Sequence, residues 1–380
     1  MNLTKFLIPS LAAFSIFAAC TTPKTELTLS GLNPSRFDTV ANGKKVALYT
    51  LKNSNGMEAC ITNYGARIVS IMVDDRDGVK RDVVLGFDNI TDYMANNIPY
   101  GAMVGRNANR IRDGRFTLEG KEYILDKNDG NHSLHGGPKG WQGQIFEVKN
   151  VTDSSLVLTY FSPDGESGFP GNVDATVTYT VDYLNTLKID YDASSDATTV
   201  INFTNHSYFA LSGDPTQTIL SNDIFIDSDY FTPKSPDQIP RGDIAPVDGT
   251  PMDFRTMANI GERISQNMDV EEIQISGGFG VNMILNNKSE SDVDIVLYSP
   301  ESGIEMSVYT SQPSFQFFTC NGYDKSYTGK KGIAYEKHKS ICLETQHYPN
   351  AVNNPEWPSP IIKAGERYKQ HCYYRFGVGR

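Results

Sequence analysis

Two residues of opposite acid–base character, His206 and Glu344, stand out because each lies within a run of apolar and β-branched residues. His206 is part of FTNHSYFAL at 203–211, and Glu344 is part of ICLETQHYP at 341–349. Such surroundings keep water from a titratable group and can move its pKa. An imidazole can donate a proton near neutral pH and a carboxylate can accept one. The two residues therefore predict proton transfer, although either alone is equally typical of a solvent-facing or hydrogen-bonded core residue.

The elements that must position these residues are β-strands. Apolar and polar residues alternate most clearly over 173–180, and turn-forming residues separate further segments of the same kind at 45–52, 67–73, 156–160, 187–191, 293–298 and 304–309. Helical periodicity is scarce, and 256–264 is expected to form only a turn or two. The pattern predicts an all-β fold, a large antiparallel β-sandwich, in a single domain over 30–380.

The composition is that of an ordinary globular protein and excludes one class of partner. Of the 380 residues, 39% are hydrophobic and 21% are charged, and the formal net charge is -11. Binding to nucleic acid requires a concentrated basic surface, and no cluster of Lys and Arg is present. We therefore expect no nucleic-acid partner, and the charge says little about neutral ligands.

The N-terminus has the pattern of an export signal. Residues 1–19 combine Lys5 with a short apolar stretch and end in two alanines, which is too short for a membrane span of roughly 20 residues. The following FAAC, at 17–20, resembles a bacterial lipobox, although Phe17 stands where Leu, Ile or Val is expected. We predict a signal peptide over 1–19, lipidation at Cys20, a tether over 20–29 and a location in the cell envelope, with the membrane contacted only through the lipid. The alternative is an ordinary signal peptide that leaves a free exported protein.

The cysteines and histidines do not indicate a metal site. Four cysteines remain beyond Cys20, namely Cys60, Cys320, Cys342 and Cys372, and four cysteines allow three pairings among which the sequence does not choose. Neither a CxxC pair nor an HExxH motif is present, so no metal is predicted. Asp74, Asp75 and Asp77 could attract a cation such as calcium, but they are more typical of a solvated turn.

Seven motifs taken together resemble the aldose 1-epimerase family. They are GRNANRI at 105–111, SLHGG at 133–137, DGESGFPG at 164–171, TNHSYF at 204–209, DGTPMDFR at 248–255, YTSQP at 309–313 and LETQ at 343–346. They follow the order of the family's motifs and span almost all of the chain beyond the predicted signal. The resemblance implies the β-sandwich that the alternation predicts independently.

The resemblance also implies roles for individual residues. His206 matches the family's general acid and Glu344 its general base. The positions that match the sugar-lining residues of the family are Asn109, Arg110, His135, Tyr208, Asp253 and Gln316. One departure lies nearby, since Asn350 stands where many relatives have an aspartate, and this change could alter a loop or the sugar preference.

Three of these residues have simpler interpretations. Arg110 could neutralise buried carboxylates, and His135, which precedes Gly136 and Gly137, could stabilise a turn. Asp253 could cap the short helix expected after it, because Asp is a common N-cap residue.

The implied reaction is the interconversion of the α and β anomers of a free aldose. Glu344 would remove the proton of the anomeric hydroxyl while His206 protonates the ring oxygen, so no cofactor is required, and the enzyme is expected to act as a monomer. The expected pH profile has an acidic limb from Glu344 and a basic limb from His206. The alternatives are a hexose-phosphate epimerase of the same fold and an inactive, envelope-anchored carbohydrate-binding protein.

Overall fold

Three antiparallel sheets and several short strand pairs make up the architecture. The structure, a computed structural model, describes residues 26–96, 98–286, 289, 291–322 and 327–379. The predicted signal peptide and Cys20 lie outside the described residues. No helix in these ranges is both long enough and apolar enough to cross a membrane.

The largest sheet has nine strands. In spatial order they are Glu147–Val151, Ser155–Ser162, Val173–Val181, Thr186–Ser195, Arg367–Val378, Ile304–Thr310, Ile295–Tyr298, Asp223–Ile226 and Ala258–Asn259. Alternation produces this sheet directly: in Val173–Val181 every second residue is buried, and the predicted segments at 156–160, 187–191, 293–298 and 304–309 each coincide with one of its strands.

A five-stranded sheet carries the residues most relevant to function. Its order is Ala245–Pro246, Tyr230–Thr232, Gly280–Ile284, Ser314–Phe318 and Cys342–Gln346. Across it Thr232 faces Asn282, Asn282 faces Gln316, and Gln316 faces Glu344. Because directly opposed residues share a face of a sheet, these side chains form one polar row.

The third sheet and the remaining elements complete the molecule. The four-stranded sheet runs through Leu48–Lys52, Glu58–Thr62, Arg67–Asp74 and Lys80–Asp82. Two-stranded pairs join Thr39–Ala41 to Lys44–Val46, Arg115–Leu118 to Lys121–Ile124, Arg110–Ile111 to Ser133–Leu134, Thr199–Val200 to Ile361–Ile362, Ala102–Val104 to Thr204–His206, and Tyr327–Thr328 to Ala334–Tyr335. The α-helices are Ile90–Ala95, Ile260–Ser265 and Glu271–Ser276, and the 3₁₀ turns are Pro34–Phe37, Arg112–Gly114, Trp141–Gly143, Glu166–Gly168, Ile219–Ser221, Lys330–Gly332 and Ala351–Asn353.

The apolar faces of the three sheets meet in one core. Ile68 from the four-stranded sheet, Ile189 from the nine-stranded sheet and Phe315 from the five-stranded sheet are all fully buried in the same hydrophobic cluster. Sheets packed face to face around such a layer form a β-sandwich, which confirms the predicted fold class. The polar row of the five-stranded sheet lies on the face opposite to that of Phe315, since Phe315 and Gln316 are consecutive in a strand.

Two features of the sequence take simple structural roles. The carboxylate of Asp75 accepts hydrogen bonds from the main-chain N–H groups of Asp77 and Val79 and from Nε of Arg81, so the aspartate cluster at 74–77 forms a self-contained turn. Cys60, Cys320, Cys342 and Cys372 are buried thiols, and the sulfur atoms of Cys320 and Cys342 are 3.7 Å apart.

Candidate active site

His206 and Glu344 reach the same point from two different strand systems. His206 ends the Thr204–His206 strand, which pairs with Ala102–Val104, and Glu344 lies at the centre of the Cys342–Gln346 strand. Nε2 of His206 is 3.5 Å from Oε2 of Glu344. Both residues are buried, with 4% and 2% of their surfaces exposed. The predicted acid and base are therefore adjacent and shielded from most water.

Aromatic packing fixes the imidazole of His206. The ring stacks on Tyr208 with centroids 4.9 Å apart and an interplanar angle of 12°, and it meets His135 edge to face at 5.2 Å. Tyr208 in turn packs edge-on against Tyr100. Close packing on two sides leaves the His206 ring little rotational freedom. A proton donor that must point at one atom of a substrate requires such a fixed orientation.

His135 and Asn109 hold each other through the main chain. The N–H of His135 donates to the carbonyl of Asn109, and the N–H of Asn109 donates to Nδ1 of the His135 ring. Both residues have positive φ, 53° and 61°. The turn after His135 needs glycine, because a Cβ on Gly136 would lie 2.1 Å from the carbonyl oxygen of Gly105. His135 thus shapes a turn and also faces Glu344, with its Nε2 4.0 Å from Oε2.

The position of the His135 hydrogen decides whether this cluster suits a metal ion. His135, His206 and Glu344 place one potential ligand atom each within 4.8 Å of one another. Since Nδ1 of His135 accepts a hydrogen bond, the neutral ring carries its hydrogen on Nε2, the atom that faces Glu344. A nitrogen that carries hydrogen cannot coordinate a metal, so the cluster fits a hydrogen-bonding role better than a three-ligand site.

Arg110, Asn109 and Gln316 complete one wall. Nε of Arg110 donates to Asp129 at 2.6 Å, which leaves the far end of its guanidinium available to the cavity. Nδ2 of Asn109 donates to Oε1 of Gln316 at 3.3 Å. Asn350 lies behind this wall: its N–H donates to the carbonyl of Arg110, and its side-chain oxygen accepts from the N–H of Arg112. Asn350 therefore supports the strand that presents Arg110.

These side chains surround a cavity of about 680 Å³, within the usual size range of small-ligand sites. Seven of the eight predicted catalytic and sugar-lining residues line it: Asn109, Arg110, His135, His206, Tyr208, Gln316 and Glu344. The cavity also includes residues that the sequence analysis did not select, namely Pro99, Asn128, Leu134, Gln142, Gln238, Ile275, Ser276, Gly280, Phe318 and Gly322. None of these side chains is titratable, and none except Leu134, which is part of SLHGG, belongs to a motif of the resemblance, so the sequence did not indicate them.

The structure does not place Asp253 in this cavity. Its carboxylate binds Arg255, with Oδ2 2.7 Å from the guanidinium, and Arg255 also contacts Asp229 and Asp248. The prediction that Asp253 lines the site therefore disagrees with the structure, because an arginine two residues away engages the carboxylate. Asp253 is not a helix cap either, since Asn259 caps the helix Ile260–Ser265.

Burial controls the protonation of the catalytic candidates. Desolvation raises the pKa of Glu344 to about 8, although nearby Arg110 favours its ionised form. Desolvation also lowers the pKa of His206 to about 3, and it lowers that of His135 well below its usual value, with the His206 and Arg110 charges acting in the same direction. Between pH 3 and 8 the His206–Glu344 pair thus holds one proton, mainly on Glu344. This order is the reverse of the one predicted from the sequence.

A buried histidine and glutamate that are adjacent in one polar cavity of a β-sandwich are an arrangement suited to an enzyme that transfers protons. The aldose 1-epimerase family model matches residues 47–375. Galactose mutarotase from Sus scrofa is 40% identical over 325 residues, 86% of this chain and 92% of that protein, and aldose 1-epimerase from Escherichia coli K12 is 31% identical over 88% and 96%. The crystal structure of an aldose epimerase homologue from C. elegans superposes with a TM-score of 0.82 at 29% identity, covering 88% of this chain and 100% of that one.

The chain belongs to the aldose 1-epimerase family. It is an isomerase that interconverts the α and β anomers of aldoses, a reaction that requires no cofactor.

Proposed function

We propose that Glu344 is the general base and His206 the general acid of this anomer interconversion, with glucose and galactose among the substrates. The observation that carries the proposal is the 3.5 Å separation between Nε2 of His206 and Oε2 of Glu344 inside a polar cavity. The two oxygens of an aldose that exchange protons, the anomeric hydroxyl and the ring oxygen, are attached to the same carbon. Adjacent acid and base atoms therefore match adjacent substrate oxygens.

The reaction is a pair of proton transfers. Glu344 removes the proton of the C1 hydroxyl while His206 donates one to the ring oxygen, and the C1–ring-oxygen bond breaks to give the open aldehyde. Rotation about the C1–C2 bond exposes the other face of the carbonyl, and reclosure reverses both transfers. The active form has ionised Glu344 and protonated His206, and it holds the same number of protons as the neutral pair that burial favours. Arg110 favours this form at Glu344, since its charge lowers the carboxyl pKa.

Four neighbours support the transfer without exchanging protons. His135, with Nε2–H facing Glu344, can donate to the substrate or to the carboxylate. Tyr208 holds the His206 ring, and Gln316, directly opposite Glu344 across the sheet, aligns an amide with the same region of the sugar. Arg110 offers a planar group of donors to sugar hydroxyls.

Polarimetry on freshly dissolved α-galactose and α-glucose tests the proposal. The purified protein should accelerate the change in optical rotation without added metal. A trace no faster than the spontaneous reaction for both sugars would contradict it, and Lys331→Met, an exposed substitution outside the cavity, is the control for handling of the protein.

We also propose that the enzyme is exported and anchored in the cell envelope by lipid at Cys20. The support is the sequence pattern alone: an apolar stretch preceded by Lys5, the small pair Ala18 and Ala19, and a cysteine directly after them. Expression of the full-length gene with and without Cys20→Ser decides between the two forms. The wild type should fractionate with membranes and the variant should not; equal solubility would refute the anchor.

A further inference from the structure

A buried lysine lies directly behind the cavity wall. Lys234 follows the Tyr230–Thr232 strand and is 5% exposed. Its ammonium group donates to Oε1 of Gln238 at 2.7 Å, to Oγ of Ser276 and to the carbonyl of Gly280. All three acceptor residues line the cavity, although Lys234 itself does not. The ammonium therefore organises one stretch of wall from behind.

The absence of a side chain at position 280 belongs to the same arrangement. A Cβ on Gly280 would lie 2.6 Å from Oγ of Ser276 and 3.2 Å from Nζ of Lys234. The 2.6 Å contact is shorter than real Cβ contacts and the 3.2 Å contact is tight, so Ser276 and Lys234 occupy the space that a side chain of residue 280 would use. The groups that this wall presents to a ligand are then set by the lysine and the serine.

The hydrogen of the Ser276 hydroxyl is directed by Lys234. An ammonium group has only donors, so Oγ of Ser276 must accept from it. Among the described residues this hydroxyl donates no hydrogen bond. Since Ser276 lines the cavity, its hydrogen is available to an acceptor atom of a ligand.

The charges around Lys234 do not cancel its influence on this wall. Oε1 of Glu272 accepts from the main-chain N–H of Lys234, and the same carboxylate is 3.3 Å from Arg241. Burial, together with the charge of Arg110, lowers the pKa of Lys234 to about 7, against the opposing effect of Glu272. The ammonium group thus donates to three neutral acceptors, and the nearby Glu272 carboxylate is bound by the main-chain N–H of Lys234 and by Arg241.

The order of strands gives the part of the sugar that meets this wall. The Thr204–His206 strand lies beside Cys342–Gln346, followed by Ser314–Phe318 and then Gly280–Ile284. In the proposed function, the ring oxygen lies at His206 and the C1 hydroxyl at Glu344. From the ring oxygen at His206 to C1 at Glu344, the sugar ring continues through C2 and C3, which therefore lie toward the Gly280–Ile284 strand. C5 and C6 lie on the opposite side, beside His206. The strands that carry Glu344 and Gly280 are two spacings apart, ~10 Å, and Gly280 is in register with Cys342, two residues before Glu344. A pyranose with a hydrogen bond at either end can reach across these strands.

We propose that Lys234 is a specificity-determining residue that, through Ser276, positions the C2–C3 edge of the aldose by supplying a hydrogen-bond donor to a hydroxyl there. The inference rests on the proposed function, because that function fixes the orientation of the ring. Lys234 acts as a positioning residue and exchanges no proton with the substrate. For aldoses that lack the hydroxyl at this edge, removal of Lys234 should have little effect on kcat/KM.

The test pairs two variants with four sugars. Lys234→Met removes the ammonium group and keeps the side-chain length, and Ser276→Ala removes only the hydroxyl. Each is assayed with galactose, 2-deoxygalactose, 3-deoxygalactose and 6-deoxygalactose, with anomer exchange followed by proton NMR. For galactose and 6-deoxygalactose, kcat/KM should fall about tenfold in both variants, as expected for one lost charge-assisted hydrogen bond. For at least one of the 2-deoxy and 3-deoxy sugars the loss should be less than threefold.

Several outcomes would overturn the proposal. Equal losses on all four sugars would indicate a general structural role, and no loss on galactose would mean that Lys234 has no influence on the substrate. If Lys234→Met fails to fold, Ser276→Ala alone decides, since it leaves the buried lysine with two acceptors. Lys331→Met should match the wild type on every sugar. Failure of the proposed function is recognised separately, because the wild type would then not accelerate anomer exchange of galactose at all.

Discussion

Two carboxylates of the family motifs, Glu344 in LETQ and Glu166 in DGESGFPG, differ in how their oxygens are used. Oε1 of Glu166 accepts from the hydroxyl of Tyr160, and its Oε2 accepts from Nε1 of Trp141 and from the hydroxyl of Ser162. Oε2 of Glu344 is buried and, among the described residues, accepts no hydrogen bond. One carboxylate is fully engaged by the protein, and the other keeps its lone pairs for a ligand.

The surroundings of Glu166 indicate what a structural polar network looks like in this molecule. Arg106, 2% exposed, donates to Oγ and the carbonyl of Ser162 and to the carbonyls of Pro163 and Pro170. Arg106 and Glu166 belong to the GRNANRI and DGESGFPG motifs, yet neither lines the large cavity. Membership of a family motif therefore does not distinguish a residue that lines the cavity from one that supports the fold, whereas the hydrogen bonds already made to the protein separate Glu166 from Glu344.

The largest expected effect follows from removing the unengaged groups. Glu344→Gln and His206→Asn should each lower kcat by at least ~10²-fold, because each removes one partner of a proton transfer. The double variant should lose less than the sum of the two losses, since both residues act in one step. Polarimetry measures the rates, and thermal unfolding checks the fold. A single variant with near-wild-type activity would contradict the assigned roles.

The opposite result is expected at Glu166. Glu166→Gln should retain kcat within a few-fold but lower the free energy of unfolding by about 1–3 kcal/mol, because a single amide oxygen cannot replace two carboxylate oxygens that accept three donors. Urea unfolding of the variant and the wild type gives the difference. A large loss of activity without a loss of stability would remove the distinction between the two carboxylates.

The pH dependence of stability sharpens the comparison. The pKa of Glu344 in the folded protein is raised to about 8 from an ordinary value of 4.5, so between these values the folded protein binds the proton that the unfolded chain has lost. Its contribution to stability is therefore complete below pH 4.5 and is lost as the pH rises to 8, by up to about 1.4 kcal/mol per pH unit. Gln does not titrate, so Glu344→Gln lacks this pH-dependent loss. The free energy of unfolding of the variant should therefore rise relative to that of the wild type from pH 5 to 8. Parallel urea titrations at several pH values measure this, and a constant difference would contradict the raised pKa.

The same burial sets the pH profile of catalysis. The pair holds the single proton that the reaction needs between the pKa of His206, about 3, and that of Glu344, about 8. The profile of kcat/KM for the free enzyme should therefore decline above pH 8 through loss of the last proton from the pair. A decline centred near pH 6.5, the ordinary value for histidine, would indicate that His206 titrates independently.

The smallest effect is expected at a third carboxylate. Asp253→Asn should change kcat and KM for galactose by less than about twofold, because Asp253 pairs with Arg255 outside the cavity and exposed ion pairs contribute little. Steady-state kinetics suffice for this test. A tenfold increase in KM would contradict this expectation and indicate that Asp253 contacts the substrate.

The sequence predicted the sandwich and the acid–base pair for different reasons. Alternation over 173–180 specifies a strand locally, and it was sufficient to assign the fold class. His206 and Glu344 were identified by their apolar surroundings and their motifs. An alternating pattern does not say which residues of two strands face each other. The alignment of Gln316 and Asn282 with Glu344 is therefore seen only in the strand pairing of the structure.

The different positions of Asp253 and Lys234 relative to the cavity have physical causes as well. Asp253 was placed in the site by its motif, and the competing partner Arg255 became evident only from side-chain geometry. Lys234 carries no sequence signal because the three acceptors that bury its ammonium group come from residues 4 to 46 positions away. A charged residue whose partners are distant in the chain appears in a sequence as an ordinary surface residue.

The main-chain hydrogen bond between Asn109 and the His135 ring couples backbone shape to acidity. The N–H of Asn109 meets Nδ1 of His135 only while residue 109 keeps its left-handed conformation, with φ at 61°. If that peptide rotated, Nδ1 could take up the hydrogen, and Nε2 would then offer Glu344 a lone pair in place of an N–H group. The carboxylate would become harder to ionise although no charged residue had moved. A loop conformation is in this way part of the acid–base chemistry of the site.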